Sequence, residues 1–367
     1  MNNKDKTIKD PLLRIGKRSE LTSKQTFQIR ILAVCLSIVA GGIFIAMIGY
    51  NPFAIYATIL SGAFRSEMAV QATVKMMIPL LIASLGVTLA FKMKFWNIGA
   101  EGQIIFGATC ASFFALYFSN LNHIVLILLM MMAGVIGGGL WGLIPALFKV
   151  KFGTNETLFT LMLNYIALHI VAYLRDGPWM DPHAQGYSKI ARFDPNAALD
   201  KLLGVQAGWL IGLILVIVLT IYLKYTKQGY EINVVGESKD TARYAGMKVN
   251  RIILRTMFLS GGVAGLCGMI QASGSDITLT TNVAGGVGFT AIIVAWLAQL
   301  NPVGILIVSF LFSVLEKGSS VIQSTYGLST DSADVLQGII LFFILACEFF
   351  VRYRLIIRKK EGSKDGI

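Results

Sequence analysis

Asn97-Ile98-Gly99-Ala100-Glu101-Gly102-Gln103 sets one carboxylate, two amides and two glycines into sequence that otherwise reads as lipid-buried helix. An ionisable side chain in or beside a membrane span is costly, faces a cavity or a partner, and marks a functional site by default. The flanks decide the fold. Met76 to Phe91 runs up to this break and Ile104 to Phe118 runs away from it, both without a charge. Similar runs occur at Ile31 to Ile48, Ile124 to Phe148, Leu158 to Leu174, Trp209 to Leu223, Met257 to Ala272, Val287 to Leu300, Val303 to Leu315 and Val335 to Val351. The expected fold is therefore an all-α polytopic membrane protein of about ten transmembrane helices. The whole composition agrees: the 367 residues are 55% hydrophobic and 14% charged, with a mean hydropathy of +0.68. That balance excludes a single anchored soluble domain.

Charge sets the orientation. With the N-terminus inside, the inside segments 1–30, 92–96, 149–155, 224–256, 301–302 and 352–367 hold 25 of the 32 lysines and arginines. The positive-inside rule then places both termini in the cytoplasm. It also locates the net charge of +12 beside a bilayer, so no nucleic-acid partner is expected. Residues 1–30 form a basic cytoplasmic segment, 31–351 the transmembrane domain with an inside loop at 224–255, and 352–367 a basic cytoplasmic tail. No small-residue cleavage pattern follows Ile31 to Ile48, so that run reads as a retained span and not as a signal peptide.

Around Asn301-Pro302 the same rule arbitrates. One long kinked helix there would put the basic tail outside, so two short spans joined by a tight turn are expected. Asn51 to Lys75 is too polar to span and reads as an amphipathic helix on the outer face. Arg175 to Gly208, with Pro178, Pro182 and Pro195, reads as an irregular outer loop. In the inside loop, Asp240 to Met247 reads as one short helix with a glycine stop, and Asp240 is the candidate cap.

The chemistry of hydrolases is missing. The sequence contains no G-x-x-x-x-G-K-[ST] phosphate loop, no H-E-x-x-H and no G-x-S-x-G, and His123, His169 and His183 are scattered. No catalytic residue, metal site or cofactor is expected, and ATP energy would have to come from another subunit. Cys35, Cys110, Cys267 and Cys347 lie unpaired in apolar segments and read as packing residues. Gly137-Gly138-Gly139 and Gly261-Gly262 let helices approach closely.

Two polar clusters remain. In the first, Asn97 caps a helix starting near Gly99 and Glu101 sits in its positive first turn, or else Glu101 and Gln103 border a solute pathway. In the second, Glu156, Thr160 and Asn164 recur every four residues and share one helix face, which either lines a cavity or forms a hydrogen-bonded seam. A further polar break at Asn282 to Gly288 lies in the other half of the chain, the kind of correspondence seen in transporters built from repeats.

Phe95-Trp96-Asn97-Ile98-Gly99-Ala100-Glu101-Gly102-Gln103, Thr154-Asn155-Glu156-Thr157, Thr160 to Tyr165 and the loop Gly236 to Met247 together resemble the membrane subunits of ATP-binding-cassette importers for nucleosides and simple sugars. The likeness covers nearly the whole chain; the family usually has Phe where Trp96 stands. Within it the chain looks most like the longer of two different permease subunits of purine-nucleoside uptake systems. The resemblance implies a permease forming half of a translocation pathway in a bacterial plasma membrane. It implies a second permease chain, a cytoplasmic ATP-binding subunit and an extracytoplasmic substrate-binding lipoprotein. On that basis Asn97, Glu101, Gln103, Glu156, Thr160 and Asn164 are the candidate pathway residues. Asp240, Arg243, Tyr244 and Gly246 are the candidate ATPase-coupling residues. A simple-sugar permease is the alternative, and a stand-alone secondary transporter or a receptor without transport the remoter ones.

Overall fold

The computed structural model describes residues 13–17, 23–184, 186–328 and 353–357, with single positions between 335 and 346. They divide into two compact units, residues 1–57 with 326–367, and residues 58–325.

In the first unit, α1 (Ser23–Met47) ends in a turn at Gly49, and α2 (Pro52–Phe64), whose residues from Thr58 on belong to the second unit, opens with proline at its first position, where a missing N–H costs nothing. The Asn51 side chain accepts the Phe53 N–H at 3.0 Å, and Tyr56 donates to the Ile38 carbonyl at 2.6 Å. A strand β1 (Leu13–Lys17) pairs antiparallel with the last strand, β4 (Tyr353–Ile357), joining the two basic ends of the chain. The sequence gives no alternating pattern that announces this ladder.

The larger unit is helical. It contains α3 (Glu67–Lys92), α4 (Ala100–Tyr117), α5 (His123–Phe152), α6 (Glu156–Asp176), α7 (Gly208–Tyr225), α8 (Lys227–Glu237), α9 (Lys239–Tyr244), α10 (Val249–Ile270), α11 (Val287–Leu297) and α12 (Pro302–Tyr326). Between α6 and α7 the chain is irregular, apart from a single 3-10 turn and a two-residue hairpin of β2 (Lys201–Leu202) and β3 (Val205–Gln206). Local chemistry sets the helix ends. Ser66 accepts the Ala69 N–H at 3.2 Å to start α3, with Glu67 in its first turn and Lys92 in its last, matching the helix dipole. Asn155 caps α6, and Gly153, at φ +69°, lets the chain leave α5.

The core sits where α3, α4, α5 and α10 meet, and glycine spacing explains how closely. Gly134, Gly138 and Gly142 fall on one face of α5 and face Gly261 and Gly265 of α10. A β-carbon on Gly265 would collide with the Gly134 carbonyl and come within 2.8 Å of the Gly138 α-carbon. Backbone therefore packs directly on backbone, the arrangement small residues permit between membrane helices.

Several expectations change. Six described helices are long and apolar enough to cross a membrane: α3, α5, α6, α7, α10 with its extension to Asp276, and α12. Counting the bent pair Cys35–Met47 and Pro52–Phe64 as one span gives seven, against the ten expected. The shortfall has physical causes. α4 carries Glu101 and Gln103 in its first turn, and α11 has only 11 residues, about 16 Å of helix against a hydrocarbon core of about 30 Å. Most of Val335 to Val351, like most of segments 1–30 and 352–367, lies outside the described residues.

Asn51 to Lys75 is not one amphipathic helix. The Ser66 cap starts a new helix, so Lys75 belongs to α3, while Ile59 of α2 is buried against Gly318 of α12. Asn301-Pro302 does separate two helices. Gln299 and Leu300 turn the chain at φ +54° and +55°, and Asn301 accepts the Val303 N–H at 3.1 Å. The second of them, α12, is 25 residues long and runs through Glu316-Lys317, well past the Leu315 limit read from hydropathy.

Candidate functional site

Residues 93–99, between α3 and α4, are irregular: Met93, Phe95 and Asn97 are buried while Lys94 and Trp96 are exposed. Irregular backbone within a membrane domain is tolerated only where protein satisfies it, and here the partners are nearby carbonyls, Ala90 for the Phe95 N–H and Phe95 for the Asn97 N–H, together with side chains of neighbouring helices. The Asn97 and Gln103 amides pair reciprocally, each donating to the other's oxygen at 3.2 Å. Asn97 Oδ1 also accepts the Gly99 N–H at 3.0 Å. Asn97 Nδ2 reaches Ser260 Oγ of α10 at 3.4 Å, and that hydroxyl donates to the Gly86 carbonyl of α3 at 2.8 Å. One polar chain thus ties α3, α4 and α10.

From the other side α6 grips the same stretch. Thr160 Oγ1 accepts the Ile98 N–H at 3.2 Å. Asn164 accepts the Gly102 N–H at 2.8 Å and donates to the Ile98 carbonyl at 2.9 Å. Gly99 and Gly102 are glycines because a β-carbon at either would stand 2.9 Å from Thr160 or Asn164 atoms. Removing the clamp has a calculable cost. Asn164→Ala leaves the Gly102 N–H and the Ile98 carbonyl unpaired inside the protein, a loss of about 2 to 4 kcal/mol that thermal unfolding in detergent will show.

Glu156 shares the face of Thr160 and Asn164 but turns away from the cluster. Its Oε2 meets Lys149 Nζ at 2.7 Å, closing the turn between α5 and α6.

Glu101 does something the sequence did not announce. Its Oε1 accepts the Gly286 N–H at 2.8 Å and its Oε2 the Gly288 N–H at 2.7 Å, at the N-terminus of α11. The two polar breaks noted in separate halves of the sequence therefore meet. The carboxylate fills the place where a helix leaves N–H groups unpaired and positive. Gly286 is left-handed at φ +79°, and a β-carbon on Gly288 would lie 2.6 Å from the Glu101 α-carbon. At its other end α11 is held by rings: Trp296 stacks on Trp96, centroids 5.8 Å apart, and both meet Phe91. The half-length helix is fixed at both ends.

A second candidate surface is α9. The cap is Ser238, whose Oγ accepts the Thr241 N–H at 3.2 Å, and not Asp240. Asp240 instead stands exposed beside Arg243 at 3.3 Å, a surface pair of little energetic weight. The helix covers Lys239–Tyr244, shorter than the Asp240 to Met247 expected, because Gly246 at φ +75° turns the chain out. Ala242 is buried while Tyr244 is 97% exposed, so α9 is anchored underneath and presents an aromatic ring outward. Behind it, Gly236 of α8 backs onto the Lys92 carbonyl of α3, and Arg255 of α10 pairs with Glu231 of α8 at 3.0 Å.

The structure therefore gathers Asn97, Gln103, Thr160 and Asn164 into one cluster, turns Glu101 to the start of α11, sets Glu156 apart, and groups Asp240, Arg243, Tyr244 and Gly246 on a separate exposed segment. Ser238 was legible by the same capping rule that suggested Asp240. Ser260 had no local signal, since its partner Asn97 lies more than 160 residues away; Gly286 and Gly288 fall in the polar break at Asn282 to Gly288, but their partner Glu101 lies more than 180 residues away.

Residues 68–345 match the family model described as branched-chain amino acid transport system / permease component. Among curated proteins, the chain is 29% identical to the glucose ABC transporter permease protein TsgB13 of Haloferax volcanii, over 96% of both chains. It is 28% identical to the guanosine ABC transporter permease protein NupP of Bacillus subtilis, over 91% of this chain and 97% of that one. It is 29% identical to the nucleoside ABC transporter permease protein NupB of Lactococcus lactis, over 91% and 95% respectively.

Proposed function

We propose that this chain, which belongs to the family of branched-chain amino acid transport system / permease components, forms half of the translocation pathway of an ATP-driven nucleoside importer. The observation that carries the reading is α9. A short capped helix, buried on one side at Ala242 and presenting Tyr244 and Arg243 on the other, is built to press on a separate protein, and the chain carries no phosphate loop of its own. The partner is a cytoplasmic ATP-binding subunit. A second permease chain completes the path, and an extracytoplasmic lipoprotein delivers solute. Both termini are assigned to the cytoplasm of a bacterial plasma membrane. The β1–β4 ladder supports this, since paired strands keep residues 13–17 and 353–357 on one side.

In this reading the Asn97, Gln103, Thr160 and Asn164 cluster positions the start of α4 beside the path, and Glu101 positions α11. Glu156, through Lys149, braces the turn into α6. Force from ATP binding enters at α9 and reaches α3 and α10 through α8, whose Gly236 and Glu231 touch both. A neutral solute needs hydrogen-bonding groups that release it as readily as they take it, which a tight charged cage would not do.

Replacing Arg243 and Gly246 together with glutamate is expected to leave membrane insertion intact while cutting uptake at least tenfold and freeing ATP hydrolysis from solute. Unchanged uptake would remove α9 from the coupling path. The substrate is tested by ATP-driven uptake in the reconstituted complex with nucleosides, free bases and pentoses. A simple-sugar permease is the second reading, favoured by the glucose relative at 29% identity, and uptake of sugars without nucleosides would establish it.

A further inference from the structure

His123, the first residue of α5, lies against the loop that leads into the β2–β3 hairpin. Its Nδ1 stands 2.8 Å from the Asn196 carbonyl oxygen and its Nε2 3.1 Å from Asp200 Oδ2. Both partners are acceptors. A carbonyl oxygen has no proton to give, and an aspartate above about pH 5 has none either. A neutral imidazole carries one N–H and one lone pair, so it satisfies only one of the two partners. The imidazolium, with two N–H groups, satisfies both. The arrangement is therefore that of the charged ring.

The neighbouring elements bring little competing charge. The α4–α5 turn, Ser119 to Asn122, carries none, and the next charged residue along α5 is Lys149. On the loop side, Asp194 accepts the Asn196 N–H at 2.9 Å, and Lys201 follows Asp200 into the hairpin. The positive first turn of α5 works against a cation at His123, and the Asp200 carboxylate offsets it through a charge-assisted bond.

This contact holds the base of the hairpin. The Asp200 carbonyl accepts the Ala207 N–H at 2.8 Å, which closes the two strands. Asn196 Nδ2 ties the loop to the Ser119 carbonyl at 2.8 Å and to the Leu121 carbonyl, bonds that do not depend on pH. The hairpin turn is held by longer ones, Gln71 Nε2 to the Leu203 carbonyl at 3.4 Å and Trp209 Nε1 to the Leu202 carbonyl at 3.3 Å, and Leu203 is 83% exposed. Loss of the Nε2 proton sets a lone pair against a carboxylate, while Nδ1 keeps its bond to Asn196. Only the Asp200 side lets go.

We propose that His123 and Asp200 form a proton-operated latch on the β2–β3 hairpin, closed when the imidazole is charged and open when it is neutral. The switch falls between about pH 5 and 8, where a histidine changes charge, and the hairpin is held on the acid side of it. Which compartment's acidity the latch reads rests on the orientation proposed above, which puts the hairpin outside the cell.

The test follows amide hydrogen exchange over residues 201–206 in the complete reconstituted membrane complex, each variant being compared with wild type at the same pH. His123→Asn keeps a donor where Nδ1 stands and is too short to reach Asp200. It is expected to exchange about fivefold faster than wild type near pH 6 and at the same rate near pH 8.5, because only the charged ring supplies the second bond. Asp200→Asn separates a latch from a merely structural contact. Its amide accepts from the charged ring and donates to the neutral one, so exchange is expected to stay slow at both pH values, with no step between them once the intrinsic pH dependence is divided out. Equal exchange in wild type and His123→Asn at both pH values, or a wild-type step surviving in Asp200→Asn, would overturn the proposal. If His123→Asn does not reach the membrane, Asp200→Asn decides alone. Trypsin cleavage after Lys201 in sealed right-side-out vesicles checks the orientation separately: cutting only from the inside would reverse the orientation and leave the latch standing.

Discussion

Glu101→Ala is expected to abolish measurable ATP-driven uptake while the protein still reaches the membrane. The carboxylate makes two short bonds, 2.7 and 2.8 Å, to the backbone N–H groups of Gly288 and Gly286. Hydrogen bonds to a charged group contribute about 1.5 to 3 kcal/mol each, so losing both displaces the held position of α11 by a hundredfold or more in population. Glu101→Gln sharpens the test. A glutamine has one acceptor oxygen, and its NH2 would face a backbone N–H, donor against donor. The conservative variant is therefore expected to lose uptake nearly as fully as alanine, whereas a group serving only as a helix-start charge would tolerate it. Uptake near wild type in Glu101→Gln would show that α11 does not depend on this contact. Solvent labelling of a cysteine placed at Asn282 is a second readout, expected to rise in both variants as the segment before α11 loosens.

Gly265→Val is expected to act earlier, on assembly of the fold itself. The new side chain would have to occupy space taken by the Gly134 carbonyl and the Gly138 α-carbon, and no flexible atom is available to give way. Overpacking in a tight core typically costs about 1 to 3 kcal/mol, and here the obstacle is backbone, so the upper end or more applies. The protein is expected to be lost from the membrane fraction, or to melt far below wild type in detergent. Gly153→Val, at a position where no neighbour lies within 4 Å, controls for loss of glycine as such, its cost being confined to the left-handed backbone. Equal yields for the two variants would mean that α5 and α10 do not cross at this point.

Hydropathy and charge made the helical class and most helix positions legible, because period and length are local properties. The same reading failed where a helix is not a whole span. Val287 to Leu300 is apolar enough to suggest one, yet Gln299 and Leu300 turn the chain and leave 11 helical residues. It failed again at Asn51 to Lys75, where a single serine restarts the helix. For the site, the residue types were legible and their partners were not. Asn97, Glu101 and Gln103 stood out as polar atoms in apolar sequence, which is an intrinsic property. That Glu101 reaches Gly286 is a fact of tertiary packing, invisible to any window of the sequence. Glu156, Thr160 and Asn164 show the limit of spacing alone: period four placed them on one face, but the reach of Lys149 drew Glu156 out of the group.

The glycine seam between α5 and α10 also decides how this molecule can move. Sliding of packed helices requires side chains that can change rotamer and trade one set of neighbours for another. Where Gly134, Gly138, Gly261 and Gly265 meet there are none to trade, and main chain abuts main chain. Helices α3, α4, α5 and α10 consequently travel together as one lever. Any alternation of access has to come from swinging that lever as a whole, or from the short helix α11 that a single carboxylate pins to it.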